Sequence, residues 1–208
     1  KIRNSRIDSG DPNGFLEDEF RPRIIFPSVF SSISPTIVSH IGNPEKFYFG
    51  GINLQHISEI QFSRNLLLST ELNLRVYDNF RDTISGPGSV MEHVRTDLVQ
   101  YLKEDDPYIG RIQLDYIWSP HKEVYAKISG GIFEQMFGGF GGELLYKPFN
   151  KNYNLGLELF HVKQRTFDQR LNFQEYETLT GHISLGYRFA AGVESNLSFG
   201  RYLAKDDG

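Results

Sequence analysis

The stretch Leu66-Leu67-Leu68-Ser69-Thr70-Glu71-Leu72-Asn73-Leu74-Arg75-Val76 decides the fold. Leu66, Leu68, Thr70, Leu72, Leu74 and Val76 share one parity, and Ser69, Glu71, Asn73 and Arg75 the other. A period of two belongs to a β-strand, whose successive side chains point to opposite faces. A helix would space its apolar residues three and four apart. Just upstream, Ile52, Leu54, Ile60 and Phe62 oppose Asn53, Gln55, Glu59 and Gln61, with His56 and Ser58 interrupting the apolar parity. Ser63-Arg64-Asn65 joins the two runs, so together they read as a β-hairpin with one apolar and one polar face.

The same alternation recurs downstream. Ile112, Leu114, Tyr116 and Trp118 alternate with Arg111, Gln113 and Asp115, and Val124, Ala126, Ile128, Gly130 and Ile132 follow a turn at Ser119-Pro120-His121. After the glycine-rich run 138–142, residues 143–149 and 153–163 form another hairpin pattern. His182, Ser184, Gly186 and Arg188 then alternate with Ile183, Leu185, Tyr187 and Phe189, and Val193, Leu197 and Phe199 oppose Glu194, Asn196 and Ser198. The fold expected is all-β, an antiparallel meander of about eight strands over residues 46–208. Residues 1–45 read as an irregular segment with short strands near 23–26 and 28–39, because Pro22, Pro27, Pro35 and Pro44 interrupt it. One helix is expected over 90–104. Ser89 and Glu92 make a capping box, Val90, Val94, Leu98, Tyr101 and Leu102 a stripe, and Pro107 a stop.

The 208 residues include no Cys, which excludes disulfides and thiolate metal sites. A net charge of −4 gives no electrostatic case for nucleic acid. No run approaches the ~20 apolar residues of a membrane-spanning helix. Barrel strands alternate, so a membrane barrel remains compatible with that absence. Two architectures share the pattern: a soluble sheet with one wet face, and an outer-membrane β-barrel, whole or part of a larger one. Lys1 is not an initiator Met and the end follows a strand-like run, so the chain reads as a piece of a longer protein or as a mature form cut at one or both ends.

Several motifs resemble the YjbH-like exopolysaccharide-biosynthesis family of Gram-negative bacteria. They are Val94-Arg95-Thr96-Asp97 with Tyr101-Leu102, then the continuous run 129–149 from Ser129-Gly130-Gly131 through Gly138-Gly139-Phe140-Gly141-Gly142 to Lys147-Pro148-Phe149. Val162-Lys163-Gln164-Arg165-Thr166-Phe167-Asp168-Gln169-Arg170, Tyr176, Thr180-Gly181-His182 and Gly200-Arg201-Tyr202-Leu203-Ala204 complete the set. The match covers a little over half the chain, and residues 1–88 contribute little to it. The resemblance implies an outer-membrane barrel encoded with polysaccharide-export machinery, often with a lipoprotein signal. Its implied partners are outer-membrane lipid, polysaccharide and export proteins. No lipid-anchoring Cys occurs in this stretch.

Glu71, Arg75, Arg111, Asp115, Arg188 and Glu194 are the residues parity assigns to a polar interior that faces polysaccharide. Glu134 and Glu143 flank the glycine-rich run and could in principle act as a glycosidase pair, which needs carboxylates ~5–10 Å apart; lumen-facing acids paired with arginines are the commoner use. Arg165 and Arg170 could grip carboxylates of an acidic polymer, while Asp168 could tie its own loop backbone. His182 lies on a polar parity. The six His lack metal-ligand spacing, and no nucleophile elbow occurs. The expectation is therefore a protein without cofactor or metal that is not an enzyme. A soluble periplasmic polysaccharide-binding or scaffolding protein, and a polysaccharide hydrolase or lyase, are the alternatives.

Overall fold

A computed structural model describes residues 25–41, 48–80, 97–104, 107–190 and 192–205. Nine strands form one sheet in sequence order, each antiparallel to the next: β1 (Ser28–Ile41), β2 (Tyr48–Gln61), β3 (Leu66–Asp78), β4 (Tyr108–His121), β5 (Val124–Ile132), β6 (Phe137–Tyr146), β7 (Tyr153–Arg165), β8 (Phe173–Arg188) and β9 (Glu194–Arg201). One helix, α1 (Leu98–Lys103), lies between β3 and β4. The sheet is a meander, open at β1 and β9. At one end it is joined by tight turns such as 122–123 and 62–65. The other end carries α1 and the 166–172 loop.

The sheet starts earlier than expected. Ser28–Ile41, where a short strand near 28–39 was expected within an otherwise irregular segment, is one 14-residue strand that pairs with β2 along its whole length. Pro35 sits inside it without breaking it. Proline cannot donate to a ladder, but an edge strand needs donors on one side only. The glycine-rich run is also strand, lying within β6 and paired on both sides. Of the expected helix 90–104, the structure shows Leu98–Lys103; Ser89, Glu92 and the rest of 81–96 lie outside the described residues.

Cross-strand register sorts the side chains, since directly paired residues share a face. One face carries Ile37, Leu54, Leu74, Leu114, Ile128, Leu144, Leu157, Ile183 and Phe199. The other carries Gln55, Asn73, Gln113, Ser129, Glu143, Glu158, His182 and Asn196. Burial is inverted relative to a water-soluble sheet. Leu157, Ile183 and Phe199 are 51%, 63% and 70% exposed, whereas Asn53, Asn73, Asp115, Ser129 and Thr178 are buried. Among the described residues, each strand's main contacts are with its neighbours in the sheet. Crowding on the polar face without a covering sheet means that the sheet curls toward it.

At the loop end, α1 lies against this inner face. Tyr101 packs with Met136, Phe137 and Val162, while Leu102 packs with Phe49 and Phe80. The helix thus ties β2 and β3 to β6 and β7 across the concavity. It is too short to be stable alone, so these two clusters hold it in place.

Glycine at 131 is required by the backbone. Its φ is 132°, and a Cβ there would overlap the Ile112 carbonyl oxygen. Gly131→Ala is expected to destabilise the sheet by ~1–3 kcal/mol or more. Gly130→Ala, whose Cβ would find its nearest neighbour at 3.8 Å, should be tolerated. Unfolding midpoints of the two variants, measured side by side, check this; equal midpoints would contradict it.

Candidate functional site

The inner polar face begins with amide and carboxylate groups on β2, β3 and β4. Glu71 stands opposite Arg111 in register and accepts hydrogen bonds from Gln55 Nε2 (2.9 Å) and Asn73 Nδ2 (3.0 Å). Asp115 is buried and accepts from Gln113 Nε2 at 2.8 Å and Ser129 Oγ at 2.5 Å. Arg111 is exposed and donates to the Phe133 carbonyl at 3.2 Å. Arg75 turns toward the helix, donates to the Leu102 carbonyl, and lies 5.7 and 5.8 Å from the Phe80 and Tyr108 ring centres. Arg188 and Glu194 form an exposed pair at 2.6 Å, at the tight-turn end of β8 and β9. All six residues assigned by parity to the interior lie on this one face. Arg75, however, serves the helix rather than an open wall.

Across β5 to β8 the register builds a row that sequence reasoning missed: Lys127, Glu143, Glu158, His182. Lys127 Nζ holds Glu143 at 2.7 Å and His182 Nδ1 meets Glu158 at 2.5 Å. The imidazole also packs 4.5 Å from the Tyr202 ring, and its Nε2 has no hydrogen-bond partner. Glu143 and Glu158 are direct cross-strand neighbours, Glu143 held on its far side by an ammonium and Glu158 by an imidazole nitrogen. Only the register reveals this pairing, because 15 residues separate the two in sequence.

The glycosidase-like pairing weighed for Glu134 and Glu143 is not formed. Glu134 sits in the β5–β6 turn and Glu143 six positions into β6 from Phe137, ~20 Å along the strand. That exceeds the span of a glycosidase pair. Glu134 lies at the surface of its turn, yet desolvation by neighbouring atoms still pushes its carboxyl above the usual range, against the pull of Arg111 and Arg165.

Arg165 is wholly buried. Its guanidinium donates to the carbonyls of Ile109 (2.8 Å), Glu134 (2.8 Å), Gln135 (3.0 Å) and Arg170 (2.8 Å), and to that of Gln169. Five carbonyls from three separate segments converge on one planar cation, whose fork of donors suits them. Tyr101 Oη donates to the Arg165 carbonyl, and Gln169 Nε2 donates to that of Tyr101 at 2.7 Å. Burial pushes the Tyr101 phenol up to about 12, so it stays a donor. Arg165 therefore clamps loops and cannot reach a polymer. Arg170 remains exposed. Asp168 accepts from Thr166 Oγ1 and from the Arg170 amide at 3.3 Å, and the first of these bonds leads in holding its carboxyl below the usual range.

The described residues contain no cluster of three His or acidic side chains able to hold a metal. No described helix is long and apolar enough to cross a membrane, which says nothing about crossing by strands. The outer face bears on that question. On β7 and β8 its apolar rows run from Tyr153/Tyr187 through Leu155/Leu185 and Leu157/Ile183 to His161/Leu179, and end at Lys163/Glu177. Trp118, Tyr146, Tyr153 and Tyr187 rim it at the tight-turn end. Toward β1–β3 the face is less uniform. Ser31 Oγ and His56 are 2.9 Å apart there, with Ser58 and Thr70 beside them.

These features define a class: a large antiparallel meander, polar inside and apolar outside, capped at one end by a helix. The chain belongs to the YjbH exopolysaccharide-biosynthesis family, whose profile matches residues 18–208. It is similar to the uncharacterized lipoprotein YjbH of Escherichia coli (strain K12), at 32% identity over 184 residues. That alignment takes in 85% of this chain and 26% of that protein. No solved structure matches.

Proposed function

We propose that the chain is part of an outer-membrane β-barrel that serves exopolysaccharide export without catalysis, its polar face turned to the polymer and its apolar face to lipid. The observation that carries this reading is the inverted burial. Leucine, isoleucine and phenylalanine stand open on a face that no second layer covers among the described residues, while Asn, Asp, Ser and Thr are buried on the other. The apolar rows on β7 cover four two-residue steps, ~26 Å along the strand or ~20 Å of height at ~40° tilt. An outer-membrane band is ~25 Å tall and edged by aromatic girdles. The lipoprotein relative and the family's link to exopolysaccharide agree with an envelope location. Amide and hydroxyl groups can both donate to and accept from sugar hydroxyls, so a wall of them exchanges partners without holding one.

Fractionation tests the location. The full-length protein should stay in the membrane pellet through high salt and alkaline carbonate and leave it only with detergent. Release by carbonate alone would overturn the barrel and favour a soluble periplasmic β-protein.

A further inference from the structure

Two adjoining cavities open on the inner face over β7, β8 and β9. One, of about 310 Å³, is lined by Glu143, Gly156, Glu158, His182, Ser184 and Ser198 among others. The next, of about 300 Å³, is lined by Lys147, Lys151, Asn154, Arg188 and Glu194. Ser184 and Asn196 line both, so the two form one trough. Their volumes fall at the small end of ligand sites, ~300–1,000 Å³. Along β8 the trough runs from His182 to Arg188, ~20 Å at ~3.3 Å per residue. That is longer than one sugar ring.

Its chemistry is graded. At the inner end, Glu143 and Glu158 are already engaged by Lys127 and His182. The middle offers Ser184, Ser198 and Asn196, neutral groups that donate and accept; Gly156 places no side chain over them. At the tight-turn end stand three cations, Lys147, Lys151 and Arg188. Glu194 neutralises Arg188, whereas neither lysine has a carboxylate partner among the described residues. Carboxylates already engaged, neutral hydroxyl and amide groups, then uncompensated ammonium: this sequence fits a polyhydroxylated ligand that carries a carboxylate.

We infer that this trough is a binding subsite for an acidic saccharide, with sugar hydroxyls on Ser184, Asn196 and Ser198 and a uronate-type carboxylate on Lys147 and Lys151. The inference rests on the polar face being the carbohydrate side, and it deepens that reading by naming the charge class of the sugar. A purely neutral glycan would leave the two lysines without a role.

The test is calorimetric titration of the purified full-length protein with a short oligogalacturonate and with its methyl ester, which masks the carboxylates. Wild type should bind the acid about tenfold more tightly than the ester, because charge-assisted bonds are the strong ones. The double variant Lys147→Ala/Lys151→Ala should lose about that tenfold for the acid and nothing for the ester. Asn196→Ala/Ser198→Ala should weaken both ligands alike. Equal affinity of wild type for acid and ester, no binding of the acid, or a lysine variant indistinguishable from wild type would each overturn the subsite. The outcome is separable from the barrel reading, since carbonate extraction scores membrane insertion in the same preparations whatever the titration shows.

Discussion

Arg165→Met is expected to detach the helix and the 166–172 loop while leaving the sheet assembled. Methionine fills much of the volume but supplies no donor, so five carbonyls lose their common partner at once. A buried polar group left unmatched costs ~1–3 kcal/mol. Water can reach some of the five once the loops part, so a net loss of about 4 kcal/mol is expected, at the upper end for single substitutions. The damage should be local. Ile109 N donates to the Gln169 carbonyl at 3.2 Å, and the Arg165 amide to that of Met136 at 2.8 Å; both amides should lose hydrogen-exchange protection, while those in the middle of β2 and β8 keep theirs. Arg165→Lys should fall between, because an ammonium has three donors for five acceptors. Unchanged protection at Ile109 in the methionine variant would refute the clamp. If the polymer passes along the inner face, the same variant should also raise leakage of small solutes through the reconstituted protein, since α1 lies across one end of that space.

Leu157→Arg separates lipid from water on the outer face. Leu157 is half exposed in the middle of β7. Were that face wet, arginine there would change stability by no more than ~0.5 kcal/mol. In the middle of a bilayer the same change costs ~2–4 kcal/mol. Assembly yield in the membrane, read from the folded fraction, should therefore fall steeply for Leu157→Arg. It should barely change for Ser69→Arg, whose side chain points to the inner face beside Glu59. Equal yields for the two would remove lipid from the account.

Much of this fold was legible because a strand writes its two faces directly into the parity of its residues. Leu66–Val76 and Tyr153–Lys163 needed nothing else, and parity placed Glu71, Arg111, Asp115, Arg188 and Glu194 on one side. What parity cannot carry is which residue of the next strand stands opposite. Glu143 beside Glu158, and Lys127 beside Glu143, follow from register alone. A short strand near 28–39 was legible despite Pro35; that it joins the sheet as an outer strand, where a proline is tolerated, was not, because strand order is a tertiary fact. Arg165 was the least legible. Nothing near it in sequence announces that carbonyls of Ile109, Glu134 and Gln135 will meet it, and an arginine among polar loop residues ordinarily suggests a surface contact.

The first and last strands of the meander bear on how such a sheet could enter a membrane. Among the described residues each has a neighbour on a single flank, so a line of amide hydrogens and carbonyl oxygens along the other flank must rely on water. Hydrocarbon offers these groups nothing, at several kcal/mol apiece. In lipid, then, insertion and lateral completion have to be one event. This chain expressed by itself should stick to its own kind along those two seams before it ever reaches a bilayer.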